Sequence, residues 1–97
     1  VGDSDSDRVF AVAAELFGLL SAPIRLRIVF VLLDGEQHVG QLAEQIAVSR
    51  PSLSQHLAVL YRRGIVARRR VGPQRWYRIA NDRVQALCVA MRDGSRR

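Results

Sequence analysis

Lysine is absent from this chain of 97 residues, cysteine occurs once and histidine twice. The single cysteine, Cys88, cannot close a disulfide within the chain, and it excludes a zinc ribbon or a Cys-x-x-Cys redox pair. A reducing, cytoplasmic setting is the expectation. No run of 18 apolar residues occurs, so no membrane-spanning helix and no membrane partner are expected. A basic segment followed by an apolar one, the mark of a secretory leader, is also missing. No nucleophile–base pair, phosphate loop or cluster of metal-ligating side chains is visible, which argues against an enzyme.

What the chain does contain is ordinary for a globular protein, with 48% hydrophobic and 25% charged residues. We expect one domain over residues 1–97, with flexible tails at 1–7 and 94–97. The charge is unevenly spread. Residues 1–49 hold three arginines against seven acids, a net charge of −4, whereas residues 50–97 hold twelve arginines against Asp82 and Asp93, a net charge of +10. The overall +6 therefore lies in one half, as a polyanion-binding surface requires. Genomic base composition can exchange Lys for Arg, but it does not cluster the arginines.

Periodicity gives the elements. Over residues 8–20, Val9, Ala13, Leu16 and Leu20 follow helical spacing, and Phe10 and Phe17 widen the stripe past half the circumference. Such a helix in so small a chain needs a cover, and a second subunit is the natural one. Asp7 or Ser6 is the expected N-cap. Pro23 opens a second helix at the position where its missing N–H does no harm. Its inward residues are Ile24, Ile28, Val31 and Leu32, with Arg25 and Arg27 opposite, and Asp34-Gly35 ends it. A short helix over residues 39–46 carries Leu42, Ala43 and Ile46. After the turn Ala47-Val48-Ser49, Ser49 caps a helix that reaches Arg63 and stops at Gly64. Leu53, Leu57 and Leu60 form its inner stripe. Beyond Gly64 the period changes to that of a β-hairpin, residues 65–71 and 75–79 around Gly72-Pro73-Gln74. Asn81-Asp82 then caps a last helix with Val84, Leu87, Cys88 and Met91 on one stripe. The expected fold is mainly α with a small β-hairpin, in the order α-α-α-α-β-β-α.

Two short helices joined by a three-residue turn, the second presenting small polar and basic side chains, make a helix-turn-helix. The outer residues here are Ser49, Arg50, Ser52, Ser54, Gln55 and His56. Gln pairs bidentately with adenine, Arg with guanine, and Ser with base or phosphate. The hairpin that follows has the place of a wing. Arg68, Arg69, Arg70, Arg75 and Arg78 lie on its arms, with Arg69, Arg70 and Arg75 placed to meet the DNA backbone or minor groove. Trp76 and Tyr77 read as hairpin packing.

The segment from Leu20 to Ile79 resembles the ArsR/SmtB family of bacterial winged-helix repressors. SRPSLSQHLAVLYRRGIV, Ser49 to Val66, is similar to that family's recognition-helix signature, and LSAPIRLRIV, Leu20 to Val29, to its opening L-x-x-P-x-R-x-x-I pattern. The resemblance covers roughly residues 9–92. It implies a winged helix-turn-helix homodimer built from the first and last helices, bound to double-stranded DNA at a palindromic operator and released by an inducer. On this chain the dimer surface would be Phe10, Ala13, Leu16 and Phe17 with Val84, Leu87, Cys88 and Met91.

Many members carry Cys-Val-Cys or Cys-Val-Gly on the helix before the turn. Here the segment reads His38-Val39-Gly40, and Gly40 cannot ligate. The family's second ligand set, on the last helix, falls on Asn81, Arg83, Gly94 and Arg97, none of them a plausible donor set. A borderline metal wants three or four His, Cys or carboxylate ligands. No resident cofactor is therefore expected. A divalent ion such as zinc or nickel would rest on His38 with Asp3, Asp5 or Asp7 of a second subunit. Members that sense oxidants use two cysteines, and Cys88 is alone, so a packing role is expected for it, with an intersubunit disulfide or a sulfenic acid as the alternative. A different class of function is a winged-helix protein-interaction module whose response comes from a protein co-regulator.

Overall fold

The computed structural model describes residues 4–94. The first helix, α1 (Ser4–Leu19), begins earlier than the sequence suggests. Residues 4–7 are its first turn and not a tail, and neither Ser6 nor Asp7 is a cap. Asp5 and Asp7 lie in that turn, where carboxylates favour the positive end of the helix dipole. The other expected tail is shortened too, because the last helix continues through Gly94; residues 95–97 lie outside the described residues.

A sharp break separates α1 from α2 (Pro23–Leu32), with Ala22 as an N-cap that offers no side-chain acceptor and Pro23 in the first turn. Arg25 departs from expectation. It is half-buried, and its guanidinium donates to the Leu19 carbonyl at 3.0 Å. A cation there satisfies an orphan carbonyl at the end of α1. In α2 the buried residues are Ile28, Val29 and Leu32, while Ile24 and Val31 are only half-buried. No single helix is long and apolar enough to cross a membrane among the described residues; α1 and α2 together reach that length but meet at a 95° bend.

A two-residue strand, β1 (Gln37–His38), leads into α3 (Val39–Ile46). The sequence carries no periodic signal for so short a strand. After the turn comes α4 (Arg50–Arg62), with Ser49 as N-cap: its hydroxyl oxygen accepts from the Ser52 N–H at 3.3 Å. The end of α4 is a Schellman motif. Ile65 N–H donates to the Leu60 carbonyl at 2.9 Å and Gly64 N–H to Tyr61 at 3.1 Å, with Gly64 at φ +75°. That left-handed position suits glycine, and Leu60 and Ile65 bury the accompanying apolar contact.

The hairpin is β2 (Val66–Val71) and β3 (Gln74–Ile79). Gly72, the first residue of its two-residue turn, has φ +58°, as a type II′ hairpin turn requires. It is not a lone hairpin. β1 pairs with the far side of β3, giving a three-stranded antiparallel sheet in the order β1-β3-β2, with His38 opposite Trp76. The chain closes with α5 (Asp82–Gly94). Asn81 Oδ1 caps it by accepting from Arg83 and Val84 N–H, both at 3.0 Å. The Ile65 carbonyl accepts from both Ala80 and Asn81 N–H, at 2.9 and 3.3 Å. The foot of the wing and the cap of α5 are thus tied at one residue.

One core joins α2, α3, α4 and α5 to the sheet, through Ile28, Val29, Leu42, Leu53, Leu57, Leu60, Ile65, Val66, Tyr77, Val84 and Cys88, with Leu16 and Leu19 of α1 only packed against its edge. Two dimer-surface assignments change in consequence. Val84 and Cys88 are fully buried within the protomer, so they dock α5 onto its own core and have no surface left for a partner. Burial without a partner charge pushes the Cys88 thiol pKa up.

Candidate nucleic-acid interface

The inner stripe Leu53, Leu57 and Leu60 fixes α4 by one side only. Its first two turns consequently present Arg50, Ser54 and Gln55 to solvent, with Ser52 and His56 half-buried beside them. These are the side chains expected from the sequence, and the helix does place them on its free side. Ser49 has a divided role: its oxygen caps α4, and its O–H remains a donor. The turn before it holds Ala47 at φ +58°, ψ +48°, a left-handed conformation that disfavours a Cβ.

The five wing arginines sort into different roles. Arg68 lies over the Tyr61 ring, 3.7 Å from its centroid, a cation–π contact that ties β2 to α4. Arg69 is engaged by Glu36: its Nε and a terminal nitrogen donate to the two carboxylate oxygens at 2.8 and 2.7 Å. Arg69 is therefore paired to the loop before α3 and does not stand free as Arg70 and Arg75 do. Those hydrogen bonds hold the Glu36 carboxyl below its ordinary pKa; burial opposes them, and the charges of Arg69 and Arg78 add to the lowering. Arg70 and Arg75 are exposed, stand directly opposite each other across the strands, and have no ion-pair or hydrogen-bond partner among the described residues. Two facing cations without an acid disfavour the sheet and suit a phosphate ligand.

A recognition-type helix beside a hairpin with unpaired arginines is the geometry of a winged helix-turn-helix. The pattern describing bacterial regulatory proteins of the arsR family matches residues 22–68. Over 78 residues the chain is 42% identical to a biofilm growth-associated repressor of Xylella fastidiosa, covering 80% of this chain and 68% of that one. The chain belongs to the arsR family. The arsR-family fold extends over almost the whole of it. The crystal structure of the transcriptional repressor BigR from Xylella fastidiosa superimposes with a TM-score of 0.85 at 39% identity, covering 90% of this chain and 89% of that one. The homodimeric winged helix-turn-helix domain of Mb0332 from Mycobacterium bovis does so with a TM-score of 0.80 at 28% identity, covering 98% and 89%. This arsR-family chain is a DNA-binding transcriptional repressor and not an enzyme.

Within one protomer, His38 at the family's metal position is engaged in capping a helix. His38 is the N-cap of α3: its Nδ1 accepts from Gln41 N–H at 3.3 Å while Gln41 Oε1 accepts from His38 N–H at 3.1 Å. Only Nε2 is left for another partner. A side chain at Gly40 would start 3.0–3.1 Å from the His38 ring and 3.4 Å from the Arg50 guanidinium, so a donor there would meet an imidazole and a cation. No group of three His, Cys, Asp or Glu side chains converges among the described residues; Asp3 lies outside them. The His38 ring stands edge-on to Trp76, centroids 5.0 Å apart, while Tyr77 is buried, so both aromatics serve packing. Sequence reasoning missed Tyr61 and Glu36, because neither lies on a periodic stripe or in a basic cluster.

Proposed function

We propose that this repressor works as a homodimer on a palindromic operator, with α4 in the major groove and the wing on the flanking backbone or minor groove, and that an inducer releases it. Arg50, Ser52, Ser54, Gln55 and His56 read or position the major groove, Gln55 being the residue suited to adenine. Arg70 and Arg75 take the wing contacts. The observation that carries the reading is the pairing of an outward α4 face with two facing arginines that no acid neutralises.

Dimerisation through α1 and α5 is supported by what those helices leave uncovered. Phe10 is 73%, Phe17 58% and Met91 53% exposed, large apolar surfaces that a lone protomer does not leave in water without reason. Ala13, Leu16 and Leu87 are half-buried beside them. An apolar groove of about 430 Å³ under α1, lined in part by Val12, Leu16 and Ile65, extends the same surface. The homodimeric state of the Mb0332 domain supports the reading as well.

A band-shift titration against a random duplex library tests it. The wild type should select a palindromic site. Gln55→Ala should relax preference at one base pair in each half-site and leave non-specific binding nearly unchanged. Phe17→Glu should give a monomer in sedimentation and lose the palindrome. An equal loss on all sequences for Gln55→Ala, or a Phe17→Glu dimer, would refute the respective role.

A further inference from the structure

We propose that Glu36 is the positioning residue of the wing: its carboxylate grips Arg69 across the sheet and so sets the hairpin's angle to the recognition helix. The inference rests on the DNA-binding reading above. Glu36 precedes β1, and Arg69 lies on β2, with β3 between them. The ion pair therefore reaches over the central strand and joins the two outer ones. It is bidentate, at 2.7 and 2.8 Å, which fixes orientation as well as distance. The Glu36 side chain is 24% exposed against 58% for Arg69, so the carboxylate is the more sheltered partner. Among the described residues this is the one ion pair between the hairpin and the rest of the chain.

The arrangement also explains why an acid is tolerated beside a surface meant for DNA. Bound to Arg69 and near Arg78, Glu36 presents little free negative charge. It leaves Arg70 and Arg75, one step further along the wing, unneutralised. Glu36 acts on DNA through the angle at which it holds those two residues and touches no phosphate itself.

The full-length chain, a duplex selected by the wild type from a random library and a scrambled duplex of the same composition make the test. E36Q removes a negative charge, and electrostatics alone would tighten binding to both duplexes. A positioning role instead gives weaker binding to the selected duplex, by about two- to fivefold per wing, with the scrambled duplex unchanged or tighter. The exchange E36R/R69E should recover most of the loss by restoring the pair in reverse. R69A should weaken the selected duplex as E36Q does and keep the wild-type salt dependence. E36Q tightening both duplexes would overturn the proposal, as would failure of the exchange to recover binding. So would a fall in the R69A salt slope by about 0.9 per wing, the mark of a lost phosphate contact. A wild type that selects no duplex at all would instead overturn the DNA-binding reading itself.

Discussion

Replacing Arg70 or Arg75 with alanine should weaken DNA binding while leaving the fold as stable or more so. The two guanidinium-bearing residues face each other in the antiparallel register, both exposed and neither with an acid beside it. Facing like charges destabilise a strand pair by roughly 0.2–1 kcal/mol. In a domain of this size that corresponds to a rise in Tm of about 1–6 °C when one charge is removed. On DNA the sign reverses. Each phosphate contact contributes about 0.9 to the slope of log K against log salt, so a dimer with two wings loses about 1.8 per substitution. Between 50 and 200 mM salt, the wild type should then lose about twelvefold more affinity than R75A. Fluorescence anisotropy at four salt concentrations, with differential scanning fluorimetry on the same samples, reads both quantities. A variant with an unchanged salt slope would refute the contact. A variant that loses affinity and stability together would refute the argument that the pair is held against its own repulsion.

Three further positions carry expected outcomes. Ala47→Gly should relieve the left-handed strain in the turn before α4 and raise stability by about 0.5–1 kcal/mol, net of glycine's entropy, as a denaturation midpoint will show. Cys88 should resist a thiol reagent until the chain is unfolded. Because burial raises its folded pKa, wild-type stability should fall as pH rises above about 8.5, where the unfolded thiol ionises, and C88A should lack that fall. Glu36 has the opposite sign. Its folded pKa is lowered chiefly by the Arg69 hydrogen bonds, so the stabilisation is complete above the unfolded carboxylate value of about 4.3 and is lost as pH falls through the folded pKa. The Tm difference between wild type and E36Q should be constant from neutral pH to about pH 5 and should shrink below it.

How legible these features were depended on the length scale of the signal. The α4 stripe Leu53, Leu57, Leu60, its Ser49 cap and its Gly64 stop were all readable, because a half-buried helix writes its buried side as a period and its ends as caps. In α2 the same method found Ile28 and Leu32 but missed Val29. Its sequence PIRLRIVFVL is apolar on nearly every side, and only packing decides that Val29 goes in and Ile24 does not. Leu57→Ala, by contrast, falls where pattern and packing agree and should cost about 2–5 kcal/mol. β1 is two residues long and exists only because β3 lies alongside, a tertiary cause with no local trace. Basic clustering found the wing but could not separate Arg69 from Arg70 and Arg75. The acid that captures Arg69 is 33 residues away in sequence, and the ring beneath Arg68 belongs to another element.

The double hydrogen bond to the Ile65 carbonyl joins the foot of the wing to the start of α5, so a tilt there would reach both. From that point β2 runs six residues, about 20 Å at the usual rise of a strand. A tilt of about 5° at that point would then carry the hairpin tip by roughly 1.7 Å, enough to break a charge-assisted hydrogen bond to phosphate. On its other side are Asn81 and the start of α5, the helix that carries Met91 toward the surface. On the dimer proposed above, small rotations between protomers would in this way reach the DNA end, with no need for the recognition helix to leave its seat on the core.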